Sequence, residues 1–311
     1  MPYRLATEDI EPNRRNGAWL AWALDLPACY AAAPTQADAL AQAPAAIAAY
    51  LAWLAHQDPS LPLPPQHAIE TQLVETFRAH PSADDPAYLV NAFYDDDRRP
   101  LGLGELALAR RVLEWSHQEL LALLQPLSAS RLSQPISGEV RGSLGGIIEH
   151  VAGAENWYLG MLGLGLDRAS LPAAPVAHLE RVRAHTLASW WDLLGDTRVT
   201  TCCGEGWSAR KIVRRALWHQ RAHTVQIQRL CSDKGREDTM TYYVYENWRA
   251  HGHTARIHFA HCSHCSDGKG THPGSGSDNG CWHGPFPTFA EALDEARTRG
   301  KASRCKHCRP E

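Results

Sequence analysis

Apolar and polar residues change rhythm three times along this 311-residue chain. Residues 3–10 and 18–25, the latter AWLAWALD, read as strands, the second with partial alternation. A helical pattern follows in TQADALAQAPAAIAAYLAWLAHQ at 35–57. Thr35 is placed to cap it, since a hydroxyl there accepts a bond from an orphan backbone N–H. The connector DPSLPLPPQ cannot continue that helix, and IETQLVETF at 69–77 restarts a strand. Strand, strand, helix, strand makes a small αβ domain over residues 1–82.

From 86 to 232 the period becomes helical throughout. Apolar residues recur at helical spacing over 104–126, 142–164, 175–195 and 207–231, each longer than a typical globular helix. Between the first two lies the polar LSASRLSQPISGEVRG, and between the last two GDTRVTTCCGEG, a break rich in turn formers. Trp207-Ser208 is read as the opening of the final helix. Stretches of this length suit an antiparallel four-helix bundle.

After the charged CSDKGRED, a third domain over 240–311 begins with the aromatic, β-favouring MTYYVYENWRAH; ARIHFAH reads as a second strand. A Gly/Ser loop, GKGTHPGSGSDNG, separates these from the short helix TFAEALDEARTRG, with Thr288 as its cap and Gly300 as its terminator. The fold class predicted is multidomain α+β: a small αβ domain, a helix bundle and a small zinc-binding αβ module.

Charge and composition narrow the functions. A net charge of −3 supplies no electrostatic reason for tight, non-specific binding to nucleic acid or an anionic membrane. MPYRLATEDI lacks the basic region and apolar core of a secretory signal, and the Ala-rich stretch at 37–56 is interrupted by Asp38, Gln42 and Pro44. The expectation is a soluble, cytoplasmic protein. Nine cysteines, an odd number clustered as CxxC, favour metal ligation in a reducing compartment over disulfides.

Chemistry concentrates in two places. In RRALWHQRAHTVQI, His219 and His223 lie one turn apart on one helix face, and IIEHVAGAENWYLGML adds His150 from another helix. Three such histidines make a metal site with open positions for water or substrate; the alternative is a structural or solvated trio. Glu155 is a candidate general base or outer partner of that site, against a solvent-facing carboxylate. His117 is read as an extra ligand or as a partly exposed histidine. Cys202 and Cys203 have no basic neighbour besides Arg198 to activate a thiolate. Trp157, Trp190, Trp191, Trp207 and Trp218 supply packing area, with one or two free to line a pocket.

The second place is the C-terminal domain. HCSHC and RCKHC set Cys262, Cys265, Cys305 and Cys308 at knuckle spacing, and four thiolates close a tetrahedral structural zinc site. Cys281, His261, His264 and His307 are spare candidates for a mixed Cys/His site. Arg297, Arg299, Lys301, Arg304, Lys306 and Arg309 permit a phosphate-contacting edge, though a solvated face beside a structural zinc explains them as well. GKGTHPGSG contains no complete phosphate-loop motif.

Two resemblances join these readings. DLPACYAAAPTQADALAQAPAAI resembles the HicB-like αβ fold over residues 1–82, which implies partner binding; Cys29 at its turn reads as a small packed residue. EHVAGAENWYL together with WSARKIVRRALWHQRAHTVQI resembles the DinB-like (YfiT-like) metal-binding four-helix bundles over residues 86–232. That resemblance implies His150, His219 and His223 as ligands of a divalent metal. It also implies hydrolysis or transfer of a low-molecular-weight thiol (bacillithiol, mycothiol or glutathione), with a homodimer open to it. The expected function is a metal-dependent enzyme activating a thiol or water against a small electrophilic substrate, with zinc, nickel, copper or iron in the bundle. The alternative is a non-catalytic regulatory or adaptor protein whose flanking modules bind a protein, or nucleic acid through residues 240–311.

Overall fold

Aromatic and small apolar residues in the first segment build a sheet whose two central strands are buried on both faces. The computed structural model describes residues 1–10, 18–63, 69–136, 139–237, 241–250, 252–260, 262–266, 268, 270 and 279–310, with side chains omitted over 232–237. Strand β1 (Tyr3–Asp9) pairs antiparallel with β2 (Trp19–Ala23) and parallel with β4 (Thr71–Arg78). A strand the sequence reading missed, β3 (Tyr30–Ala33), pairs with the other edge of β2, giving the order β3-β2-β1-β4. Its YAAA is too short and too uniformly small to show alternation, and Ala28 at φ 67° makes the turn into it.

Helix α1 (Gln36–Gln57) covers one face of this sheet. Thr35 caps it, its hydroxyl accepting from Asp38 N, and Ala39, Ala43, Ile47, Tyr50, Leu51 and Leu54 form its buried stripe. Despite Pro44, this is the one helix among the described residues long and apolar enough to cross a membrane. Here its apolar stripe joins Leu5, Trp19 and Ala21 of the sheet in one core. On the opposite face Ala6, Leu20 and Trp22 meet Ala92 and Tyr94. This explains why β2 is buried at every position and alternates only weakly in sequence.

The next segment is not helical throughout. It begins with a two-residue pairing of β5 (His80–Pro81) and β6 (Leu89–Val90) and a 3-10 turn at Asp95–Arg98. Helices α2 (Leu103–Leu124), α3 (Ala129–Ser133), α4 (Leu144–Gly160) and α5 (Pro175–Ser189) follow. Then comes a hairpin, β7 (Val199–Cys202) and β8 (Glu205–Ser208). Its two-residue turn is Cys203-Gly204, at φ 53° and 77°, which matches the twist of a tight hairpin. Trp207 and Ser208 therefore end a strand instead of opening a helix. Ser208 still caps α6 (Ala209–Glu237), accepting from Lys211 N. That helix runs past residue 231 into the charged stretch expected to be a linker.

The chain divides into two compact units, Met1–Ile227 and Gln228–Glu311. Within the first, one continuous apolar core takes residues from β1, β2, β3, α1, α2, α4, β8 and α6, so the sheet and the long helices fold as one body. Buried ion pairs stitch it: Lys211–Glu205 at 2.6 Å, Arg183–Glu155 at 2.5 Å and Arg214–Asp97 at 2.6 Å.

The second unit holds β9 (Tyr242–Asn247), β10 (Thr254–Phe259), β11 (Gly280–Phe286), α7 (Phe289–Arg299) and β12 (Lys301–Arg304), in the sheet order β11-β9-β10-β12. Two of these strands, β11 and β12, go beyond the two expected. Thr288 caps α7 by accepting from Glu291 N, and Gly300 ends it where a Cβ would collide with the His253 carbonyl. Tyr242, Val244, Ala255 and Ile257 pack under Ala292 and Ala296 of α7. The architecture is mixed α+β, with seven α-helices and several small sheets among the described residues.

Candidate metal centres

Helices α4 and α6 bring the three predicted histidines together. His219 Nε2 lies 3.0 Å from His150 Nε2 and 3.1 Å from His223 Nε2. His219 is 7% exposed; the other two are half-buried. The floor is aromatic, with Tyr158 and Trp218 ring centroids about 6 Å from that of His219.

Hydrogen bonding fixes which atoms face inward. Gln226 Nε2 donates to Glu139 Oε2 at 2.9 Å, because a carboxylate only accepts. The amide oxygen of Gln226 therefore faces His223 Nδ1, 2.6 Å away, and that nitrogen must carry the proton. In the neutral ring this leaves Nε2 as a bare lone pair. Arg141 Nη2, which only donates, lies 3.3 Å from His150 Nε2 and calls for a lone pair there as well. Two lone pairs and a third imidazole thus converge on one point, a donor set that fits a divalent cation.

Electrostatics keep the trio neutral. Burial, with Arg141 and His223, pushes His150 down to about 4, and burial holds His219 well below the ordinary imidazole range. Burial also lowers His223, against the opposing bond to Gln226. Neutral imidazole is the form a metal requires. The sequence reading missed Glu139, Arg141 and Gln226. Gln226 lies one turn beyond His223, but Glu139 and Arg141 come from the connection before α4 and carried no sequence signal.

Glu155 stands elsewhere. It is 2% exposed, and Arg183 takes both its oxygens, Nε to Oε1 at 2.9 Å and Nη2 to Oε2 at 2.5 Å. Arg183 also donates to Gln220 Oε1 and to the Leu113 carbonyl. Glu155 is therefore neither solvent-facing nor a histidine partner; it ties α4 to α5, and through Arg183 to α2 and α6. His117, on α2, is partly buried and outside the trio; burial lowers it to about 4. Cys202 and Cys203 lie in the hairpin with sulfurs 3.8 Å apart, and that contact raises the Cys203 thiol. Burial pushes Cys29 up to about 12, the mark of an inert packed thiol. Trp190 and Trp207 are fully buried.

In the second unit His258, Cys262, Cys305 and Cys308 bring one ligand atom each within 4.8 Å of one another. Three of the four predicted cysteines are present; the fourth position is taken by His258 of β10, whose Nδ1 is 3.4 Å from Cys262 Sγ. Cys265, fully buried in the same cluster, stands beside this group and accepts from Gly268 N at 3.3 Å. His307 N likewise points at Cys305 Sγ from 3.4 Å. Burial opposes the Cys305 thiolate, yet the N–H groups of Cys308 and His307 bring its pKa down. Of the spare candidates, His261 lies outside the described residues. His264 and His307 stack edge to face, 5.1 Å apart, outside the group. Cys281 belongs with Glu246 and His283 instead.

No protein-family model matches the chain, and no curated protein or solved structure matches it, so the roles of these ligand groups rest on geometry.

Proposed function

We propose that residues 86–232 form a DinB-like four-helix bundle holding a divalent metal on His150, His219 and His223, and that the protein is a cytoplasmic enzyme acting on a small electrophile. The convergence of three neutral Nε2 atoms within hydrogen-bond distance carries this reading. Three protein ligands leave open positions, the arrangement of catalytic and not of structural sites. The ion supplies Lewis acidity, drawing the pKa of a thiol or water toward neutrality.

The residues around it have separate tasks. Glu139 and Gln226 hold the His223 ring by its Nδ1 proton, and Arg141 places a positive charge on the rim beside His150. That charge favours a thiolate or an anionic substrate group at the open side. In thiol transfer, the S–H proton leaves to solvent, the sulfur bonds to the electrophilic carbon, and the bond to the leaving group breaks. In hydrolysis, water takes the place of the thiol. The Cys/His group of the second unit is closed by four ligands and serves as a structural zinc site. The HicB-like reading of residues 1–82 adds a partner-binding role without chemistry of its own.

The test is turnover by the full chain with bacillithiol, mycothiol, glutathione or water and a panel of small electrophiles. Expected is product formation that a chelator abolishes, a divalent metal restores and His219→Ala removes. Turnover unchanged in His219→Ala, or absent under every metal and thiol, overturns the reading.

A further inference from the structure

The second unit carries another set of ligand-bearing side chains, on the sheet face opposite the Cys/His group. In the pairing of β9 with β11, Cys281 sits directly across from Glu246, and His283 follows two residues along on the same face. Trp282, between Cys281 and His283, and Tyr245, the residue before Glu246, point to the other side, where Trp282 meets the ring of His258. The sheet thus separates the two groups.

Three different ligand atoms converge. His283 Nε2 lies 2.7 Å from Glu246 Oε2 and 3.1 Å from Cys281 Sγ, and that sulfur is 3.9 Å from the same carboxylate oxygen. A single ring nitrogen cannot serve both neighbours, because its one in-plane proton points at one of them. A point off the plane of the three atoms lies about 2.0 Å from the nitrogen and the oxygen and about 2.3 Å from the sulfur, the lengths of zinc bonds to those atoms. The other carboxylate oxygen, Oε1, is 2.9 Å from His253 Nε2, which holds it from behind as outer partners of metal-ligating carboxylates do. Arg299 Nη1 approaches Oε2 only to 3.8 Å, while its Nε is engaged by Glu295 at 2.8 Å.

We infer that Glu246, Cys281 and His283 form an additional Zn²⁺ site in the C-terminal unit. One thiolate, one imidazole and one carboxylate satisfy three positions of a tetrahedral ion and leave the fourth open. Binding takes the proton from the Cys281 thiol and releases it to solvent. Glu246 is buried while Cys281 and His283 are half-buried, so the open position is reached by water or a small ligand from the β11 side. The site lies outside the three-histidine group, and the two stand or fall separately.

The experiment is elemental analysis of the full chain after loading with zinc chloride and desalting, comparing the wild type with His283→Ala and Glu246→Gln. His283→Ala is expected to hold one ion per chain fewer, with hydrogen-exchange protection of β9 and β10 retained. An unchanged zinc content overturns the site. If His283→Ala also loses the ion at His258 because the unit unfolds, Glu246→Gln decides. It keeps the carboxylate's size and removes its charge, so it should weaken one zinc by at least tenfold; equal affinity overturns the site.

Discussion

The three histidines stand on α4 and α6, long helices held by a large apolar core that does not need them. The Cys/His group stands on a strand end and two knuckle turns, in a unit whose apolar core is six buried side chains among the described residues. The first framework can fix its ligands before any ion arrives; the second is too small to do so. On the proposed reading the same chemistry of ligation would therefore do different work: one ion would be held by a fold, and the other would hold a fold together. Ligand type agrees, since three imidazoles leave positions open and a Cys/His quartet closes them.

Breaking the quartet should give the largest effect. Cys305→Ser removes a ligand from a site that, with zinc bound as proposed, would contribute on the order of 10 kcal/mol to folding. Hydrogen exchange should show protection lost across residues 241–310 and kept across 1–227. Protection kept in both would erase the contrast.

The first unit has its own vulnerable point away from the three histidines. Lys211 is fully buried against Glu205, which also accepts from Tyr88 Oη and Asn91 N. Burial pushes that lysine down to about 8 even with Glu205 beside it. Lys211→Met strands the carboxylate and should cost about 3–5 kcal/mol, read from the urea midpoint. A shift near zero would mean that Glu205 is satisfied by Tyr88 and Asn91 alone.

Gln226→Ala sharpens the comparison from the side of the histidines. It frees the His223 ring without removing a ligand, so metal affinity should drop about 10- to 100-fold in competition with a chromophoric chelator. The urea midpoint of the metal-free chain should hardly move. Unaltered affinity would show that the helix alone sets the ring.

A last effect is in pH. Burial lowers His117 from the ordinary 6.5 to about 4. Between those values the unfolded chain binds a proton that the folded chain refuses, so stability present above pH 6.5 is lost as the pH falls toward 4. Metal-free wild type should therefore lose more stability than His117→Gln over that window. Equal loss in the two would show that His117 is protonated as readily folded as unfolded.

What could be read from sequence follows the range of each signal. Caps are local, and Thr35 and Thr288 do what their positions predict. The one-turn spacing of His219 and His223 is also local, and their meeting with His150 follows the long helical periods. His258 was missed because a lone histidine in a strand carries no spacing pattern; only the pairing of β10 with β9 and β12 brings it to the cysteines. Glu139 reaches Gln226 across 87 positions, a contact that no window of residues can hold. Glu155 misleads for the opposite reason: its place near His150 in sequence says nothing of Arg183, which claims it from α5. The hairpin at 199–208 was hidden because its four-residue strands are shorter than any reliable alternation.

The measurement that bears most directly on the central claim is the metal content of the full chain, wild type against His219→Ala, with hydrogen exchange confirming that α4 and α6 stay folded. The account predicts one ion per chain fewer in the variant and no change at the cysteines. Equal metal content in the two proteins would contradict it and return the three histidines to the role of packing residues.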